Sequence, residues 1–310
     1  MRASLWSVAS ALFVVCGCGS APRILASGQH PINLAVDAAS VYWTDRSNSD
    51  QAGLVMKVAL AGGTPVVLAS STYPLGIAVD ASSVYWADIS DGTVTKVALA
   101  GGTSETLVEG AFPLAIAVDA SGVYWTDEFS VQKVGLSGGT PVTVANRVGS
   151  TDSSGYAIAV DATGLYYTES SDSSPPPYGA ANIVRVGLSG GTPVTLATGY
   201  YPQGIAVDTT GVYYTVGAFV SYPEGGVETV GLSGGTPVVL AISGAEGNIA
   251  VEAGDVYWSD PATATVKKIP RSSVTPVTLA TGTTSDSIAV DATSVYWGDW
   301  GAGTINAVAR

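Results

Sequence analysis

Sulphur, histidine and basic residues are scarce in this chain. Its 310 residues include one histidine, two cysteines, two methionines and 12 lysines and arginines together. A lone His30 with no cysteine beside it makes no zinc site and reads as a loop residue. No Gly-rich phosphate loop with its Lys and no H-E-x-x-H pair occurs, and the letters G-x-S-x-G are met only as GLSGG in the repeated Gly-Gly turn. The usual marks of nucleotide-binding and zinc-protease chemistry are therefore missing. Twelve basic residues against 25 acidic ones leave a net charge of −13. Such a surface favours solubility, repels nucleic acid and anionic headgroups, and attracts cationic ligands or metal ions. Charged residues are only 12% of the chain, hydrophobic ones 46%, and there are 38 glycines. That mix suits many short strands and tight turns, not helices or disorder. A chain of this length exceeds one compact core, so two domains or a repeat architecture is expected.

Residues 1–18 stand apart. Arg2 precedes the apolar run LWSVASALFVV at 5–15, followed by CGCGS. A basic start, a short apolar segment and small residues describe a secretory signal, too short for a stable anchor. VCGC at 15–18 resembles a bacterial lipobox, with Gly17 before the acceptor Cys18. Cys16 is the poorer acceptor because bulky Val15 precedes it. Ordinary secretion with cleavage nearby is the alternative. Residues 1–18 are thus expected to be signal peptide and acceptor cysteine, 19–23 a short tether and 24–310 the folded domain.

The rest repeats itself. VYWTD at 41–45 and 123–127 returns as VYWAD, VYWSD and VYWGD, and more loosely as LYYTE and VYYTV, seven times in all. Each copy follows an IAVD-like phrase ending at Asp37, Asp80, Asp119, Asp161, Asp208, Glu252 or Asp291. The unit averages about 42 residues, a period of propeller blades and solenoids. IAVD, VYW, KVAL and PVVLA read as four short strands, punctuated by DASS-type turns and by Gly-Gly, which supplies positive φ for a hairpin. The seventh copy stops after its third strand, TINAVAR at 304–310, while RILASG at 23–28 matches a fourth strand. The two ends are complementary halves of one blade. The expectation is an all-β, seven-bladed β-propeller of four antiparallel strands per blade, closed by the N-terminal strand pairing with the C-terminal blade.

VYWTD after P-x-x-I-A-V-D resembles the YWTD propellers of low-density-lipoprotein-receptor relatives, and P-x-G-I-A-V-D is similar to NHL propellers and the wider gluconolactonase-like group. The resemblance covers residues 24–310. It implies the propeller fold and leaves function open, since those families include receptors, scaffolds and enzymes. YWTD and NHL modules usually have six blades, whereas this chain supplies seven copies, so no ligand site carries over. Aromatics present in every copy, Trp43, Trp86, Trp125, Tyr167, Tyr214, Trp258 and Trp297, are expected to wedge neighbouring sheets apart. The IAVD carboxylates are expected to accept amides of the turns that follow.

Loop lengths divide the two faces. From the IAVD carboxylate to the Trp or Tyr the separation is 6 in all seven copies, and from the Lys57-type position to the fourth-strand Leu it is 11 in six. The other connections vary: Trp43 to Lys57 is 14, Trp125 to Lys133 is 8, Tyr167 to Arg185 is 18. Function is expected on the variable face, because loops on a rigid scaffold carry it. The long loops of blades 3–5 add Tyr156, Tyr178, Phe219 and Tyr222. Nearer the axis, Asn33, Gln203, Asn248 and Asp286 join Tyr156 as copy-specific candidates for a pocket lining, opposite Gly76 and Ala115. The last residue of the VYWTD phrase gives a broken ring, Asp45, Asp88, Asp127, Glu169, Asp260 and Asp299, that would bind Ca2+ or cap its own loops.

The leading expectation is a non-catalytic, lipid-anchored binding module of the cell envelope, monomeric, with no catalytic residues and no cofactor other than Ca2+. Its ligand would be a protein or saccharide met on the variable face, and its lipid would sit in an outer membrane of a Gram-negative cell. The alternative is a metal-dependent gluconolactonase-like or lyase-like enzyme, in which Asn33, Asn248 and Asp286 would contribute to a metal cage, with Glu246 as the one nearby glutamate.

Overall fold

A computed structural model describes residues 21–46, 53–147, 157–170, 180–200, 202–217, 225–243, 247–270, 273 and 275–310. They form seven sheets, each of four antiparallel strands: a seven-bladed β-propeller. In blade 1 the innermost strand is Pro31–Val36, followed outward by Ser40–Asp45, Gly53–Ala59 and Val66–Ser71. The same order recurs through blade 6. In blade 7, Ser287–Val290, Ser294–Asp299 and Thr304–Ala309 come from the C-terminal end, and Arg23–Ser27 supplies the outer strand. Arg23 stands opposite Ala307 and Ser27 opposite Thr304. The expected closure is what the chain forms.

Strand alternation explains how blades pack. In V-Y-W, Val and Trp point to one side of the sheet and Tyr to the other. Trp43 and Val41 meet Tyr296 and Ile305 of blade 7, while Tyr42 meets Trp86 and Val84 of blade 2. The same exchange continues around the ring, as Tyr85 with Trp125, Tyr124 with Tyr167, Tyr166 with Tyr214, Tyr213 with Trp258 and Tyr257 with Trp297. The five Trp residues are at most 2% exposed. Leu25 and Ala26 of the N-terminal strand enter the cluster between blades 7 and 1.

The uniform face is latched by repeated polar contacts. Lys57 Nζ donates to the Leu99 carbonyl of the next blade at 2.5 Å, Lys96 to Leu136 at 2.7 Å and Lys133 to Leu188 at 3.5 Å. Arg23 does the same across the closure, to Leu60 at 2.7 Å. Arg310 holds blade 7 to blade 6 through the Tyr257 hydroxyl at 2.8 Å and the Glu252 carbonyl at 3.0 Å. The third-to-outer hairpins carry the expected glycine pair, as Gly62 and Gly63 at φ 83° and 138°.

Leu25 is 3% exposed, so Leu25→Ala is expected to cost about 2–5 kcal/mol in urea unfolding. Deleting residues 23–27 is expected to lower the melting temperature far more; an unchanged melt would contradict the load carried by the closing strand.

Candidate functional site at the channel mouth

Each innermost strand begins on the variable face and runs inward to its IAVD turn. In blades 1, 2 and 5 its start is bulged: Pro31 pairs with Asp45 and Leu34 with Trp43, so two residues oppose Thr44 alone. Pro74/Ile77 and Pro202/Ile205 repeat this. A bulge leaves an amide without a ladder partner and re-aims the side chains beside it. Where the VYWT place holds Thr or Ser, its hydroxyl accepts the amide just before the I/L-A-V phrase, in bulged and unbulged blades alike. Thr44 Oγ1 accepts the Asn33 amide at 3.2 Å and donates to the Leu75 carbonyl of the next blade at 2.8 Å. Thr215 Oγ1 accepts from Gly204 at 2.9 Å and donates to Gly247 at 2.7 Å. Ser259 Oγ accepts the Asn248 amide at 3.1 Å. These hydroxyl residues are wholly buried. Their position in the repeat was readable from the sequence as T, S, A or G, yet nothing there marked it as a clip between blades.

Two adjoining cavities open at this mouth. One of about 440 Å³ is lined by Asn33, Gln203, Gly247, Asn248, Pro261 and Asp286. The other, about 630 Å³, shares Asn33, Gln203 and Asn248 and extends over Leu75, Leu114 and Ile116. Four of the axial candidates therefore converge. They do not occupy one register position: Asn33 and Asn248 immediately precede the I/L-A-V-D/E phrase, whereas Gln203 and Asp286 stand one residue earlier. Each position occurs once in a bulged blade, as Asn33 and Gln203, and once in an unbulged one, as Asn248 and Asp286, and all four line the same opening. Neighbouring strands also come very close: a Cβ on Gly204 would lie 3.0 Å from Asn248 Oδ1, and one on Gly76 3.1 Å from the Ile116 amide.

Asn33 turns its Nδ2 to the Leu75 carbonyl at 3.3 Å, and Asn248 Oδ1 accepts the Ile249 amide at 2.9 Å. Asp286 is open to solvent from the variable face, and burial of its surroundings pushes its carboxyl up. Tyr156, Tyr178, Phe219 and Tyr222 lie outside the described residues, as does Cys18. Three exposed aromatics absent from the expected set stand on this face: Phe112, Phe129 and Trp300.

The acidic ring has local work. Asp88 accepts the amides of Thr72, Tyr73, Ser90 and Asp91 at 2.8–3.0 Å and the Ser71 hydroxyl at 2.5 Å. Burial alone would raise this carboxyl, but those donors outweigh it and hold it low. Asp45 takes the His30 amide and the Trp43 indole N–H, Asp127 the Phe129 and Ser130 amides, and Asp299 the Thr284 hydroxyl and Ala302 amide. Asp260 pairs with Lys267 at 2.7 Å, and Glu169 accepts from Asn182 at 3.4 Å. Among the described residues no three His, Cys, Asp or Glu side chains converge on a metal position.

On the opposite face the IAVD carboxylates accept turn amides as expected, and most also bond a Tyr hydroxyl. Asp80 accepts the Ser82 and Ser83 amides and the Tyr85 hydroxyl at 2.7–2.8 Å. Burial works to raise Asp80 and Asp291, but these amide and hydroxyl donors outweigh it and hold both below the ordinary 3.8. Burial and the bond to the carboxylate push Tyr42 and Tyr85 from 10.0 up to about 12.

No protein-family model matches the chain, and no curated protein matches its sequence. Solved structures do resemble it. A streptogramin B lyase superposes with a TM-score of 0.70 at 12% identity, over 93% of this chain and 96% of that one. BamB from Moraxella catarrhalis gives 0.59 at 12%, over 94% and 98%. A chain of a nidogen/laminin complex gives 0.55 at 19%, over 74% and 90%. At these identities the likeness is one of fold, shared by binding proteins and enzymes alike.

Thr44→Val removes an acceptor and a donor from a dry site and is expected to cost about 2 kcal/mol in chemical denaturation. Calcium is expected to leave the melting temperature unmoved, because the ring carboxylates are already engaged. Asp80 and Asp291 titrate below the unfolded value of 3.8, so their stabilisation is present above that pH and lost as the pH falls through their folded values. Tyr42 and Tyr85 titrate near 12, not 10.0; their contribution is full below pH 10.0 and lost as the pH climbs through about 12. The urea midpoint should fall at both ends, and Asp80→Asn should blunt the acid limb.

Proposed function

We propose that this protein is a non-catalytic binding module of the cell envelope, tethered by a lipid on Cys18, that receives its partner on the variable-loop face. The observation that carries the reading is the channel mouth. Copy-specific side chains from four consecutive blades converge there on cavities of about 440 and 630 Å³. That range is typical of small-ligand sites, and clefts on rigid rings suit recognition. The partner is a protein or saccharide of the envelope, and the chain acts as a monomer.

The tether fits this orientation. Arg23 opens the outer strand of blade 7 on the uniform face, and only four residues separate it from Cys18. The uniform face would lie toward an outer membrane of Gram-negative type and the mouth away from it.

A metal-dependent lactonase or lyase needs a cage at this mouth. The described residues offer one carboxylate, Asp286, with the amides of Asn33, Gln203 and Asn248. Two of those amides are already bonded to backbone. Divalent cations favour several carboxylate or carbonyl oxygens, or imidazoles, so the described set does not fit one. Binding without chemistry is the reading these residues support.

The test is recovery from envelope extract. The protein is expected to retain a partner that an Ala115→Trp variant, its mouth filled and its melt unchanged, fails to retain. Equal recovery, or none with either, would overturn the assignment. Labelled palmitate is expected to enter the wild type and not Cys18→Ser; equal labelling would remove the tether.

A further inference from the structure

The lining of the mouth is divided around the ring. Blades 5, 6, 7 and 1 contribute Gln203, Asn248, Asp286 and Asn33, four polar side chains on consecutive blades. Among the described residues, blades 2, 3 and 4 contribute Leu75, Leu114, Ala115 and Ala157, with the ring of Tyr73, stacked under Arg46 at 3.8 Å, also in the lining; Tyr156, at the place in blade 4 that Gln203 holds in blade 5, lies outside the described residues. Among the described residues the opening is therefore polar on one half and mostly apolar on the other.

Its charge is equally one-sided. Among the described residues Asp286 is the one ionisable side chain lining the smaller cavity, and no lysine, arginine or histidine is in the lining of either cavity. The contact at its residue is through the backbone, where the Asn248 amide donates to the Asp286 carbonyl at 3.2 Å. Among the described residues no donor or cation meets its carboxylate. Every carboxylate of the acidic ring, by contrast, has a donor from its own loop or an adjoining strand. A carboxylate at the rim of a cavity loses part of its hydration with nothing in exchange, and its proton affinity rises accordingly. It remains reachable from the variable face.

Three kinds of occupant can be compared. An anion would meet Asp286 and a chain of net charge −13. A neutral polyol would use the amides but draw nothing from the carboxylate and would face aliphatic side chains on three blades. A cation with an apolar body answers both halves: the ammonium gives Asp286 a charge partner that the described residues do not supply, and the body covers Leu75, Leu114 and Ile116.

We infer that the channel mouth binds an amphipathic organic cation, an ammonium group joined to a compact apolar body, with Asp286 as its counter-charge and the apolar half of the mouth as its seat. Asn33 keeps its amide oxygen for the ammonium, since its Nδ2 is given to Leu75, and Gln203 supplies a second acceptor from across the opening. This rests on the mouth being a binding site and adds the chemistry of what enters it. The cation could be a free amine or the amino terminus of a peptide; both present the same group.

The probes are 2-phenylethylammonium, neutral 2-phenylethanol and anionic 3-phenylpropanoate, titrated calorimetrically into the intact chain at low salt. The ammonium is expected to bind about tenfold or more tightly than the alcohol, a difference of about 1.4 kcal/mol, and the anion not at all. Asp286→Asn should abolish the preference with an unchanged melt, Gln203→Leu should reduce it, and Glu128→Gln, outside the mouth, should leave it intact. The preference should weaken with added salt. Equal binding of ammonium and alcohol, or a preference that survives Asp286→Asn, would overturn the cation. If that binding is still lost in Ala115→Trp, the mouth remains a binding site with a different ligand. No binding by any probe would overturn the inference, while recovery from extract reads the broader assignment separately. A peptide carrying a free amino terminus, set against its acetylated form, separates the two sources of the cation.

Discussion

The ring stands on the contact between a tyrosine of one blade and the tryptophan or tyrosine of the next. Because V-Y-W alternates sides, each second strand sends one aromatic into each of its two neighbouring gaps. Sheets stacked by small residues would lie parallel, whereas large aromatics hold them apart where radiating blades diverge. Most of these tyrosines reach a turn carboxylate with their hydroxyl, as Tyr42 reaches Asp37 and Tyr296 reaches Asp291, both at 2.8 Å. The wedge thereby fixes the blade's turn as well as its angle. Change the angle and the mouth would not hold its four polar side chains across one opening.

That rigidity explains why one face is uniform and the other free to differ. The uniform face is bound from blade to blade by the Lys57, Lys96 and Lys133 contacts and by turns closed on carboxylates. On the variable face, the structural burden is carried by buried hydroxyls and by ring carboxylates that hold their own loops. Thr44 and Thr215 satisfy the backbone at the starts of their innermost strands, so the side chains there carry little structural duty. Asn33, Gln203, Leu75 and Asp286 can then differ from copy to copy without cost to the ring.

Repetition made the fold legible. Seven copies of one phrase, strict alternation and two complementary ends specify blades, strand count and closure before any coordinate. The capping role of the carboxylates was legible for the same reason, since a position repeated in every blade answers a need that every blade has. The site was legible in part. Asn33, Gln203, Asn248 and Asp286 were marked by departing from the repeat, yet two stand just before the I/L-A-V phrase and two a residue earlier, and spacing alone does not say that both places reach one opening. Thr44 was hidden for the opposite reason: it looks like an ordinary strand residue until its hydroxyl is seen bridging two blades. Phe112, Phe129 and Trp300 sit in loops that no periodicity reaches.

The pairing of Arg23–Ser27 with Thr304–Ala309 also sets an order of events. Most strands find their neighbour within a few dozen residues, so blades 1 to 6 can form as the polypeptide emerges. The strand made first must wait for the strand made last, and loop closure over nearly the whole chain is slow. Until then the ring is an open arc with two bare sheet edges, and the surfaces of Trp43 and Tyr296 that will face each other are wet. Final locking is a late, all-or-none step, and a chain stopped short of residue 304 would accumulate as a nearly complete arc with an adhesive seam.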